Sequence, residues 1–256
     1  METTNQKRTH RKLSKKARRR RRRRRIGGLF VSILLLASLA VFGILYDGPS
    51  VYPEPLQTAL ENNPELKEFA KGYEGAMEAG ERDRTDACEL TDEERSEKYP
   101  LFLQWDKRWG YRAYGEHVIG LSGCGPTCMS MVLYSLKGDE TMTPDSLARF
   151  ADAQGYYVEG SGTAWSFMTE GARSLGLNVR EVSLDEGAMK SRLDEGSLII
   201  CSMGPGDFTK AGHFIVIYGY DEDGFLVNDP NSVQRSGERW SFDKIRYQIR
   251  NLWAYC

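Results

Sequence analysis

Ser122-Gly123-Cys124-Gly125-Pro126-Thr127 places a cysteine between two glycines at the start of a helical pattern. Two later stretches complete its reading: Gly212-His213-Phe214 and Asn228-Asp229-Pro230. A thiol is a weak nucleophile until it ionises. A helix N-terminus and a neighbouring imidazolium both favour the thiolate and lower a cysteine pKa from about 8.5 to roughly 3.5–7.5. The order Cys, His, Asp supplies a nucleophile, a proton shuttle and a group to hold the imidazole. Outside the N-terminal tail only His117 and His213 are available as the imidazole. His117 sits in a glycine-bounded loop, 115–120, and is expected to face solvent.

The surrounding pattern predicts where these residues lie. Pro126 suits a first helical turn. Met129, Val132, Leu133 and Leu136 recur at helical spacing, and Gly138 is placed to end the helix. A second helix is expected from Thr143-Pro144. A third follows Ser161-Gly162-Thr163 and stops at Gly176. Strand signals then dominate, at 177–184, Leu198–Met203 and 251–255, the last expected at a sheet edge. A short helix is expected over 185–195, and Ser241 is positioned to cap a last one. His213–Tyr220 is apolar on both faces, which predicts a central strand. With 224–228 it reads as a hairpin turning at Asp221–Gly224, which brings Asp229 back toward His213. Helices first and an antiparallel sheet second define an α+β fold.

Further residues are candidates for the site. Gly123 and Gly125 leave room for a carbonyl to approach the sulfur. The Cys124 N–H points where an oxyanion would form. Gln104, in Leu103-Gln104-Trp105-Asp106, offers a side-chain amide as a second donor. Trp165 and the loop Gly204–Phe208, with Phe208 at its end, are candidates for lining the substrate cleft. A metal is not expected, because structural zinc wants four ligands and Cys124, Cys128 and His213 find no fourth. No cofactor is implied.

The 256-residue chain has a formal net charge of −1 that hides strong polarity. Residues 1–25 carry 14 Lys/Arg and one acid, which leaves 26–256 with a net charge of −14. Residues 26–46 are 21 uncharged, mostly apolar residues, the length of a membrane-crossing helix. The Arg18–Arg25 run keeps the tail cytoplasmic, which puts everything after Asp47 outside. The tail also suits anionic lipid headgroups. A cleaved signal peptide, with small residues at Ser38-Leu39-Ala40, is the alternative. Nucleic acid is not an expected partner, since no aromatic is interleaved with the arginines.

The chain therefore divides into a cytoplasmic tail (1–25), a membrane span (26–46), an extracellular spacer (47–98) and a folded domain (99–256). Within the spacer, Leu56, Leu60, Leu66 and Phe69 suggest two short amphipathic helices parted at Asn62-Asn63-Pro64, while 74–98 is charged enough to read as a solvated linker. Of five cysteines, Cys88, Cys124, Cys128, Cys201 and Cys256, Cys201 lies in a buried strand pattern and is expected as a packed thiol.

GCGPT at 123–127, GHFIVIYGY at 212–220, VNDPN at 227–231 and LQWDKRWGY at 103–111 together resemble the bacteriocin-processing-peptidase-like group of papain-fold cysteine peptidases. The resemblance covers roughly 100–255. It implies a papain-like fold and a Cys-His-Asp triad with a glutamine oxyanion donor, here Cys124, His213, Asp229 and Gln104. Twenty residues separate Gln104 from Cys124, more than in the leader-cleaving members fused to transporters. The expected activity is hydrolysis of peptides or cell-wall peptides outside the cell. Acyl transfer to or from peptidoglycan with the same thiol, and a catalytically idle binding module, are the competing functions.

Overall fold

The computed structural model describes residues 52–256, which form one compact unit. The expected tail and membrane span lie outside the described residues. Among the described residues, no helix is long and apolar enough to cross a membrane.

In chain order, the N-terminal part holds α1 (Glu54–Asn62), α2 (Lys67–Glu78) and α3 (Asp92–Ser96). A small hairpin, β1 (Ala113–Tyr114) with β2 (His117–Val118), leads into α4 (Ile119–Ser122) and α5 (Cys124–Lys137). Then come α6 (Pro144–Ala153), β3 (Tyr157–Val158), β4 (Gly162–Thr163), a π-turn at Phe167–Gly171 and α7 (Ala172–Ser174). The rest is β5 (Val179–Glu181), α8 (Glu186–Asp194), β6 (Leu198–Met203), β7 (His213–Tyr220), β8 (Phe225–Asn228), α9 (Val233–Ser236), β9 (Arg239–Trp240), α10 (Phe242–Ile245) and β10 (Ile249–Tyr255).

Six strands form one antiparallel sheet in the order β5-β10-β6-β7-β8-β9. Alternate residues of β6 and β7 serve opposite faces, as the pleat requires. Leu198, Ile200, Phe214 and Val216 join the core beneath α5, with Met129, Val132 and Leu133. Ile199, Cys201, Ile215 and Ile217 join a second core with Met189 and Trp240. Burial on both faces is why β7 reads as a continuous apolar run, and it is central as expected. The C-terminal strand departs from expectation. β10 lies between β5 and β6 instead of at an edge, and its residues Leu252, Trp253 and Tyr255 are buried. Chain-end position says nothing about sheet position once a strand is inserted between earlier ones.

The helix signals hold in kind. Pro126 falls within the first turn of α5, where its missing N–H costs nothing. Gly138 ends the helix in the left-handed conformation, φ 65°, and its N–H bonds Tyr134 O. Ser241 precedes α10 but makes no side-chain cap.

The segment before residue 99 is not a free spacer. The two amphipathic helices are present as α1 and α2, and Leu56, Leu66 and Phe69 are buried with Tyr111 and Val118 in a third core. Phe69 stacks on Tyr111 at 4.6 Å, and the Tyr111 hydroxyl donates to Phe69 O at 2.8 Å. The charged stretch 74–98 is also fastened to the domain. Arg108 pairs with Glu94 at 2.6 Å, Arg112 donates to Asp86 O, and Leu90 is buried. Composition marks these charges as solvated because their partners, Arg108 and Arg112, lie further along the chain.

Candidate active site

The site forms where the start of α5 meets the start of β7. Gly123 is the N-cap of α5 and Cys124 its first residue. The N–H groups of a first helical turn have no intrahelical acceptor and carry the positive end of the dipole. α5 packs against β7, whose first residue is His213. The β7–β8 register pairs Val216 with Asn228. Asp229 follows Asn228 directly, so the end of β8 carries it toward the start of β7.

Side chains complete that geometry. His213 Nε2 and Asp229 Oδ1 are 2.7 Å apart, and both residues are buried. With Nε2 committed to Asp229, Nδ1 is the ring nitrogen left for the thiol. Burial alone would pull the His213 pKa down. The Asp229 carboxylate outweighs it, aided by the hydrogen bond to Asp229 and by Cys124, and pushes the value up to about 10. Asp229 is fully buried, which disfavours its charge, yet His213 and Arg235 hold its pKa below the ordinary carboxylate value. Arg235 Nε donates to Oδ2 at 2.5 Å, and the Asn231 N–H donates to Oδ1 at 2.8 Å.

Gln104 is buried beside them. Its backbone N–H donates to Pro230 O at 2.7 Å, and its Nε2 donates to Gly120 O at 3.0 Å. An amide nitrogen carries two hydrogens, so one remains for a ligand. Among the described residues, Gln104 Oε1 has no hydrogen-bond partner.

Cys124 and His213 lie where two halves of a cleft meet. One half, of about 480 Å³, is lined by Tyr157, Gly162, Thr163 and Trp165. The other, of about 320 Å³, is lined by Gln104, Asp207, Phe208, Lys210 and residues of α1. Trp165 is 49% exposed and stands edge-on to Trp253 at 5.6 Å, so an aromatic face is open to the cleft.

Four sequence expectations need correction. Phe208 borders the cleft but is only 3% exposed; its ring packs on Trp240 at 4.3 Å, so it supports the wall more than it contacts a ligand. Gly123 is absent from the residues lining either half. A Cβ there would stand 2.5 Å from Ile119 Cγ2, so close packing demands this glycine. At Gly125 a Cβ would meet the Thr163 hydroxyl at 2.5 Å, again a packing constraint and not an open approach. His117 is not simply solvated. It lines the Trp165 half and stands 3.6 Å from Glu116.

Sequence reasoning gave no role to Asn231, the last residue of VNDPN, or to Arg235 in α9, both of which act on Asp229. It also missed the approach of α1. Burial pushes Cys88 up to about 12 and raises Cys128 and Cys201, which therefore stay protonated and packed. Among the described residues no disulfide is formed and no cluster could hold a metal ion.

An α+β fold with Cys124 opening α5, His213 opening β7 and Asp229 directly after β8 defines a papain-like cysteine-peptidase architecture. Residues 96–256 match the Peptidase_C39 like family, and the chain belongs to it. The peptidase domain of Streptococcus ComA, described as a bi-functional ABC transporter involved in a quorum sensing pathway, is 19% identical. The match covers 61% of this chain and 96% of that one, with a TM-score of 0.44. A protein from Bacillus anthracis described as a C39-like peptidase is 12% identical over 67% of this chain and 98% of its own, with a TM-score of 0.40. No curated protein matches the chain.

Proposed function

We propose that the protein is a membrane-anchored cysteine peptidase that hydrolyses peptide bonds outside the cytoplasm. One observation carries the catalytic part: the buried His213 ring stands 2.7 Å from Asp229 and lines an open cleft together with Cys124. The anchor rests on the uncharged stretch 26–46 behind the arginine run.

The raised pKa of His213 favours an imidazolium beside a Cys124 thiolate. The thiolate attacks the scissile carbonyl carbon, and the C=O π electrons move to oxygen. The Cys124 N–H and the uncommitted Gln104 amide hydrogen stabilise that oxyanion. As the tetrahedral species collapses, the C–N bond breaks and His213 Nδ1–H protonates the leaving amine. His213, now neutral, takes a proton from water, which attacks the thioester and releases the acid. Asp229 keeps Nε2 protonated and the ring aligned throughout. Cys124→Ala removes the first bond-forming step.

The test is product profiling with full-length protein in detergent, on a peptide library and on muropeptides, with Cys124→Ala as control. New amine and carboxylate termini that depend on Cys124 support the reading. Products joined to an added amine instead of water would replace hydrolysis with acyl transfer. For the anchor, external protease should release the domain from spheroplasts; a mature N-terminus near Val41 would contradict it.

A further inference from the structure

The family match begins at residue 96, yet a helix far upstream reaches the site. Pro55, Thr58, Ala59 and Asn62 of α1 line the same half-cleft as Gln104, Cys124 and His213. Their spacing of i, i+3, i+4 and i+7 makes one helical stripe. Leu56 and Leu60 point the other way, into the third core. One face of α1 therefore anchors the helix and the other is presented to the cleft. Thr58 and Asn62 are exposed on that second face.

The wall is fastened to the loop that carries Asp229. Asn63 Nδ2 donates to Asn231 O. The Glu65 carboxylate accepts from the Ser232 hydroxyl and from the Val233 N–H, the latter at 2.8 Å. Trp105 Nε1 adds a bond to Asn231 O at 3.2 Å. The bonds of Asn63 and Glu65 tie the C-cap of α1 and the turn after it to this loop, and the helix is a fixed boundary for whatever occupies the half-cleft.

The two halves differ in chemistry. The Trp165 half offers aromatic rings from Trp165 and Tyr157. The α1 half offers the Thr58 hydroxyl, the Asn62 amide and the Lys210 ammonium, which makes no ion pair among the described residues. Its carboxylate, Asp207, already accepts from Gln248 Nε2 at 2.7 Å. An apolar substrate side chain placed there would displace water from these exposed groups without replacing its hydrogen bonds, which costs affinity.

We propose that α1 is a wall of the substrate site, on which Thr58 and Asn62 select polar, hydrogen-bonding residues on the Gln104 side of the scissile bond. The proposal rests on the peptidase reading above. Its test compares full-length wild type, Thr58→Leu/Asn62→Leu and Gln57→Leu, a control on the same helix outside the lining. Each is profiled on a mixed octapeptide library, and the rate of Cys124 alkylation by iodoacetamide is read separately.

In wild type, polar residues should exceed Leu and Phe by about tenfold at one or more positions on one side of the cleaved bond. The double variant should lose that preference there and keep the profile on the other side. Gln57→Leu should match wild type, and the alkylation rate should be the same in all three. An unchanged profile in the double variant overturns the proposal. So does a change on both sides, a change in Gln57→Leu, or a slower alkylation, since each places the effect elsewhere. Wild type that neither alkylates preferentially at Cys124 nor cleaves any peptide overturns the peptidase reading itself.

Discussion

Arg235 Nε meets Asp229 Oδ2 at 2.5 Å, while His213 Nε2 meets Oδ1 of the same carboxylate at 2.7 Å. The buried acid is thus held by two cations, and only one of them takes part in the proposed chemistry. Removing a partner from a buried ion pair leaves an uncompensated charge and costs about 3–5 kcal/mol. Arg235→Met keeps the stem but removes the guanidinium; the arginine side chain is 16% exposed, which puts the cost at the lower end, ~3 kcal/mol. Chemical denaturation of wild type and variant measures it, and Arg235→Lys should recover part of the loss.

The pH dependence follows from the direction of two shifts. His213 is raised from its ordinary value to about 10, so its stabilising charge is fully present below about 6.5 and is lost as pH rises through about 10. Asp229 is lowered, so its contribution is present above the ordinary carboxylate pKa and is lost as pH falls through the lower folded value. kcat/KM should therefore fall on an alkaline limb near pH 10. In Asp229→Asn that limb should move down by several units, because burial then acts on the imidazole without its main opponent.

Substitution at the site should sort the residues by role. Cys124→Ala should abolish turnover, and His213→Ala should come close to it, because in the proposed mechanism every proton transfer passes through that ring. Asp229→Ala should leave measurable activity, since it orients and stabilises without exchanging a proton. Gln104→Ala removes one oxyanion donor, which typically costs about 10²–10³ in kcat, or ~2.7–4 kcal/mol. His117→Ala should leave kcat near wild type and act, if anywhere, on KM, because His117 sits in the cleft wall beside Glu116.

The third core should be required for the fold of the cleft. Phe69 is fully buried, and Phe69→Ala removes its stack on Tyr111. The expected loss is about 3–5 kcal/mol, read as a lower denaturation midpoint.

The legible parts of this structure are those set by local pattern. The helical spacing after Pro126 and the apolar run from His213 are local signals, and both elements form where expected, with Cys124 opening α5 and His213 opening β7. Asp229 was also readable, because a short hairpin has few ways to return. Gly123 and Gly125 were misread, since close contact with Ile119 and Thr163 cannot be distinguished from an open approach in the sequence alone. The bonds of Asn63 and Glu65 to residues 231–233 depend on long-range placement. No periodicity encodes such contacts. The acidic stretch 74–98 looked solvated for the same reason: its partners are distant in the chain.

The most direct measurement is peptide-resolved alkylation by limiting iodoacetamide at pH 6, where an unassisted thiol of pKa about 8.5 is almost wholly protonated. Cys124 should label far faster than Cys88, Cys128, Cys201 or Cys256 in the full-length protein, and His213→Ala should remove that advantage. Equal labelling of Cys124 and Cys256, or a Cys124 rate that survives loss of His213, would contradict the account of a thiolate held by a buried His213–Asp229 pair.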